Sequence, residues 1–138
     1  MSRERKGKKA EETLEAFLYP SPQDDRSGWG RPVDRFALCD RGVTPLPWRR
    51  HKIDVPPVWI RMRPGYLRDC LVAFVDFSRR DGDNIYINDI YVRRDLRGAG
   101  YGPILIEAFY DHLWDEVGEG VSIDWGRLER LRDTYQYD

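Results

Sequence analysis

Three glycines and an arginine fall within six residues, Arg97-Gly98-Ala99-Gly100-Tyr101-Gly102, with Arg93 and Arg94 just before them. Glycine enters backbone conformations that other residues resist, so successive N–H groups in such a run can converge on one anion. The helix that follows adds partial positive charge at the same point, and the arginines add more. The chemistry on offer is the binding of a phosphate compound.

The flanking elements must hold that turn in place. Asn84 to Val92 (NIYINDIYV) reads as a buried strand. From Pro103 to about Val117, residues Ile104, Leu105, Ala108, Phe109, His112 and Leu113 recur at helical spacing. His112 is expected at the edge of the core. Pro103 is placed at the first helical position, which suits its fixed φ, and Gly118 and Gly120 end the helix. Upstream, Asp69 to Phe77 (DCLVAFVDF) is continuous enough for a strand buried on both faces, and Ser78 to Asp83 suits a hairpin turn. Val33 to Cys39 and Val58 to Arg63 are further strands, with loop at Gly42 to Pro47 and at Pro64-Gly65. Val121 to Trp125 is a short last strand, and Gly126 to Asp138 is a polar tail with some helical character. Glu11 to Leu18 is expected to form two helical turns, with Leu14, Phe17 and Leu18 on one side. The plan is α+β: a mixed sheet, mostly antiparallel, whose strand–helix–strand crossover makes one parallel pair.

At 138 residues the chain is large enough for a real core. Lys and Arg number 23 and Asp and Glu 24, a net charge of -1, which does not predict nucleic-acid binding by the domain as a whole. Residues 1–30 are expected as a flexible basic segment with a short helix, and residues 31–138 as the domain. Within Met1–Ala10, Arg3, Arg5, Lys6, Lys8 and Lys9 face only Glu4; a solvated tail is the plain reading, and contact with nucleic acid the alternative. His51 stands alone in a polar setting and reads as a surface residue. Cys39 and Cys70 form no CxxC pair and have no histidine pair nearby, so neither a disulfide framework nor a metal site is expected. No apolar run is long enough to span a membrane, and the expected setting is the cytoplasm.

Three glycine-loop chemistries compete. A Walker loop requires Lys-Ser or Lys-Thr after its last glycine, whereas Pro103-Ile104 stands here. A dinucleotide fold would use Asp124 at the end of the next strand as its ribose acid. Its third glycine, however, falls on Pro103 or Leu105, and little chain follows Asp124. The third pattern fits best. Asp89-Ile90-Tyr91-Val92, followed by Arg97-Gly98-Ala99-Gly100-Tyr101-Gly102 and an apolar helix, resembles motif A of the GNAT acetyltransferase superfamily. Arg97, Gly100 and Gly102 occupy the motif's fixed positions, and the likeness extends over about Leu71 to Trp125. The short form and the Ile123-Asp124-Trp125-Gly126 ending look like small phage-encoded members.

The resemblance implies acetyl-CoA as cofactor. Backbone N–H groups from Arg97 through Gly98, Ala99, Gly100 and Tyr101 to Gly102 would hold its pyrophosphate, with Arg93, Arg94 and Arg97 screening charge. Ile90, Tyr91 and Val92 would offer backbone bonds to the pantetheine arm, one N–H polarising the thioester carbonyl. Asp89 would be the base that deprotonates an amine acceptor, a small molecule or a peptide; its other reading is a structural hydrogen-bond acceptor. Tyr135 or Tyr137 would protonate the leaving thiolate. Pro103 lacks an N–H where the family usually donates one. The implied reaction is N-acetyl transfer by direct attack; the alternative is a non-catalytic module of the same fold that contacts protein or nucleic acid.

Overall fold

The computed structural model describes residues 13–19, 33–44, 70–80 and 83–137. The expectations for Met1–Ala10, His51 and the Val58–Arg63 strand lie outside these residues. The strands are β1 (Leu14–Tyr19), β2 (Asp34–Asp40), β3 (Leu71–Arg79), β4 (Asn84–Val92) and β5 (Ser122–Asp124). They form one sheet in the order β1-β2-β3-β4-β5. The first three pairings are antiparallel and β4–β5 is parallel, as the α+β plan required. Between β4 and β5 run a short 3-10 turn (Arg94–Leu96) and helix α1 (Tyr101–Glu116); after β5 come a 3-10 turn (Gly126–Leu128) and helix α2 (Glu129–Gln136).

The segment at Leu14 is a strand, not the expected helix. Leu, Glu and Ala favour a helix weakly, but pairing of all six residues with β2 outweighs that preference. Leu14 and Phe17, assigned to one helical side, instead meet the cores on opposite faces of the sheet, while Leu18 is 40% exposed.

The main core lies under α1, where β2, β3 and β4 contribute Phe36, Val75, Phe77, Ile85, Ile87, Ile90 and Val92. Helix α1 answers with Leu105, Ile106, Phe109 and Leu113, all buried. Each such side chain contributes about 1.5–3 kcal/mol by leaving water. Phe109 packs at tilted angles between Phe36 and Phe77, centroids 5.8 and 5.2 Å away. His112 stacks on Phe36 at 5.2 Å, half-buried at the core edge as expected.

The opposite face carries Ala37, Cys39, Cys70, Leu71, Phe74 and Tyr91. Arg35 and Asp76, register partners on β2 and β3, are also buried, and Asp89 on β4 extends the row. The β3–β4 register slips at Asp76/Phe77, so Asn88 is an extra residue and β4 bulges one position before Asp89.

Candidate active site

Strand β4 delivers the chain to the glycine turn, and the sheet opens there. Parallel pairing with β5 is confined to Asn84, Ile85 and Tyr86. Beyond Tyr86 the β5-side edge of β4 has no strand neighbour among the described residues. Two backbone groups identify that edge. Ile90 N–H donates to its neighbour Asp89 Oδ1 at 2.9 Å, and Val92 C=O accepts from Arg97 Nε at 3.0 Å. Ile90 and Val92 therefore face the open edge, while Tyr91, by the alternation of an antiparallel ladder, turns its backbone to β3. Of the three residues expected to offer backbone bonds to the pantetheine, Tyr91 is thus committed to the sheet. Its ring stacks on Phe74 at 5.2 Å, and burial pushes its hydroxyl pKa up.

In the turn, Arg97 N–H bonds Arg94 C=O and Ala99 N–H bonds Leu96 C=O, so these two donors are occupied. Gly98 and Gly100 have φ of 85° and 94°, the left-handed region where a side chain is strained. Gly100 caps α1, which begins at Tyr101. The N–H groups of Gly100, Tyr101 and Gly102 are consequently among those at a helix start with no acceptor in the helix. Within the Arg97–Gly102 set read from the sequence, the Arg97 and Ala99 donors are thus engaged inside the turn. Pro103 sits third in the helix rather than first. No helical bond is lost there, but the fourth donor is missing.

The third glycine has a different reason. A Cβ on Gly102 would stand 2.0 Å from the carbonyl oxygen of Tyr135, whereas nothing lies within 4 Å of a Cβ on Gly98 or Gly100. Gly102 is small so that α2 can close on α1. Gly102→Ala is expected to lower stability by about 1–3 kcal/mol through overpacking and to loosen α2, read by urea denaturation and by faster proteolysis within α2.

The arginines divide. Arg93 is buried, donating to Asp95 at 2.7 and 2.9 Å and to Thr44 C=O at 2.7 Å, and so braces the loop. Arg94 and Arg97 are exposed. Asp89 is half-buried on the face opposite α1, beside Asp76. Tyr135 is 4% exposed, part of the main core, with Arg97 above its ring; Tyr137 is 84% exposed and touches none of this.

Sequence reasoning missed Asp40. Its carboxylate accepts from Thr13 Oγ1, from Gly42 N–H at 2.8 Å and from Tyr101 hydroxyl at 2.5 Å. Burial and this carboxylate push the Tyr101 hydroxyl well above the usual phenol range. Asp40 thereby anchors the first residue of α1, and with it the glycine turn. Gly42 is a local partner, but Thr13 and Tyr101 lie 27 and 61 residues from Asp40, so no local pattern announced those two contacts.

A bulged strand without a parallel partner beyond Tyr86, a glycine turn at a helix start and a carboxylate on that strand are the parts an acyltransferase-type site would use. The family comparison agrees: residues 28–126 match the model of the Acetyltransferase (GNAT) family. The chain belongs to that family. β1 and α2 lie outside the matched stretch. No curated protein and no solved structure matches the chain significantly. Among the described residues no helix is long and apolar enough to cross a membrane.

Proposed function

We propose that the protein is an acetyl-CoA-dependent N-acetyltransferase that works by direct attack of an amine, in the reducing cytoplasm. The observation that carries this reading is the turn at the end of β4: Gly98 and Gly100 at positive φ, no atom within 4 Å of a Cβ on either, and a helix that starts directly after them at Tyr101. Pyrophosphate fits it with one donor fewer than usual, because of Pro103.

Acetyl-CoA supplies an activated thioester, and the protein supplies position and proton transfer. Gly100, Tyr101 and Gly102 hold the phosphates. The Val92 N–H, on the open edge, donates to the carbonyl oxygen as it gains charge. Asp89 accepts the proton of the acceptor ammonium, directly or through one water, because a protonated amine has no lone pair to attack with. The new N–C bond forms, the C–S bond breaks, the amide nitrogen sheds its second proton to solvent, and the thiolate leaves and takes a proton from solvent. The acceptor class is an amine, small-molecule or peptide.

Calorimetry with acetyl-CoA tests the cofactor: saturable binding at micromolar to low millimolar ligand is expected, and no heat at several millimolar would end the proposal. A screen of amine acceptors against the loaded protein then tests the transfer.

A further inference from the structure

We propose that Tyr135 is a positioning residue, the aromatic plate on which Arg97 is held so that its two terminal nitrogens are left for the pyrophosphate. This rests on the coenzyme reading above and assigns Tyr135 a role other than proton donor.

Arg97 is fixed at two points. Its Nε donates to Val92 C=O at 3.0 Å, and its guanidinium carbon stands 5.6 Å from the centre of the Tyr135 ring. That distance lies within the range over which a ring face attracts a cation. Among the described residues no carboxylate pairs with Arg97, in contrast to Arg93 with Asp95 and Arg132 with Asp133. An exposed arginine held by Nε and by one face keeps Nη1 and Nη2 as a fork, the arrangement that suits a phosphate. Holding it beforehand reduces the rotamer entropy lost on binding.

The plate itself is packed into the fold. Tyr135 is 4% exposed and sits in the main core, and its carbonyl oxygen lies against Gly102, where no side chain fits. One residue of α2 therefore meets the glycine turn twice, by its backbone at Gly102 and by its ring at Arg97. Its hydroxyl makes no hydrogen bond among the described residues, so the ring and not the oxygen is the working part. The arrangement also offsets the donor missing at Pro103.

The test is calorimetry with CoA on full-length variants, with urea stability measured in parallel. Tyr135→Phe is expected to bind within about twofold of wild type, since the ring remains. Tyr135→Leu and Arg97→Gln should each weaken binding by about tenfold, and the double variant by little more than either, because both remove one unit. Arg97→Lys leaves the core untouched and keeps the charge without the planar fork; a loss of about three- to tenfold is expected. Wild-type affinity in Tyr135→Leu or in Arg97→Lys overturns the assignment, as does a Tyr135→Phe variant as weak as Tyr135→Leu, which would point to the hydroxyl. Absence of CoA binding by wild type itself removes the coenzyme reading and this assignment together, a result distinct from all of these.

Discussion

Gly100→Glu is expected to abolish acetyl-CoA binding while leaving the protein folded. Gly100 has φ of 94°, so any side chain there costs about 1–2 kcal/mol of backbone strain, and the protein should melt several degrees lower. Nothing within 4 Å obstructs a Cβ, so packing adds no further penalty. The larger effect is electrostatic. A carboxylate at the N-cap of α1 accepts the same helix-start N–H groups that the phosphates need. It also stands close to the bound phosphates: two like charges 4 Å apart near a protein surface repel by about 4 kcal/mol. Even half of that corresponds to an affinity loss beyond about tenfold, and the full value to several hundredfold. Gly100→Ala separates the two contributions, since it carries the strain without the charge and should bind within about tenfold of wild type. Calorimetry on both variants reads the difference; Gly100→Glu binding as wild type would place the phosphate site elsewhere on the molecule.

Much of this site was legible because its elements are contiguous. Asn84 to Val92 is a strand with the bounds its apolar pattern gave, and the helix after the glycine turn faces the core with Leu105, Phe109 and Leu113 as spacing predicted. What spacing missed was Ile106, which is buried as well. The helix start moved from Pro103 to Tyr101 because Gly100, in the left-handed conformation, is the cap, and that is a backbone angle no residue pattern prints. The strand at Leu14 was misread for a different reason: an edge strand's identity depends on the neighbour that pairs with it, here β2, some twenty residues later. The polar tail after Gly126 became α2, whose one buried residue, Tyr135, packs by its backbone against Gly102. Glycine in the motif therefore serves two needs that look identical in sequence. At 98 and 100 it permits a conformation, and at 102 it admits a neighbour.

The Arg35–Asp76 pair was legible only in halves, as one charge inside each of two apolar strands. Asp76→Ala is expected to destabilise the fold by about 3–5 kcal/mol, a large share of a net stability of about 5–15 kcal/mol. Arg35 donates to Asp76 through Nε at 2.6 Å and Nη2 at 2.7 Å, and its guanidinium lies 3.7 Å from the centre of the Phe74 ring. The two side chains are 1% and 0% exposed. Burial raises the Asp76 pKa, and the hydrogen bonds and charge of Arg35 pull it back toward the ionised form. With Asp76 gone, a guanidinium stays in a dry layer without that carboxylate. Removing both charges together has the opposite consequence, because desolvation of the two ions offsets their attraction. Arg35→Met with Asp76→Leu should therefore recover most or all of the loss in urea denaturation. The row Arg35, Asp76, Asp89 runs across β2, β3 and β4 on the face opposite α1, so acetyl-CoA affinity in the double variant should stay near wild type. If Asp76→Ala costs under about 1 kcal/mol, water or a shifted Arg35 relieves the charge and the pair is not a structural clamp. If the double variant loses coenzyme affinity while remaining as stable as wild type, the buried row reaches the glycine turn through β4, and Asp89 is the residue at which that coupling would enter.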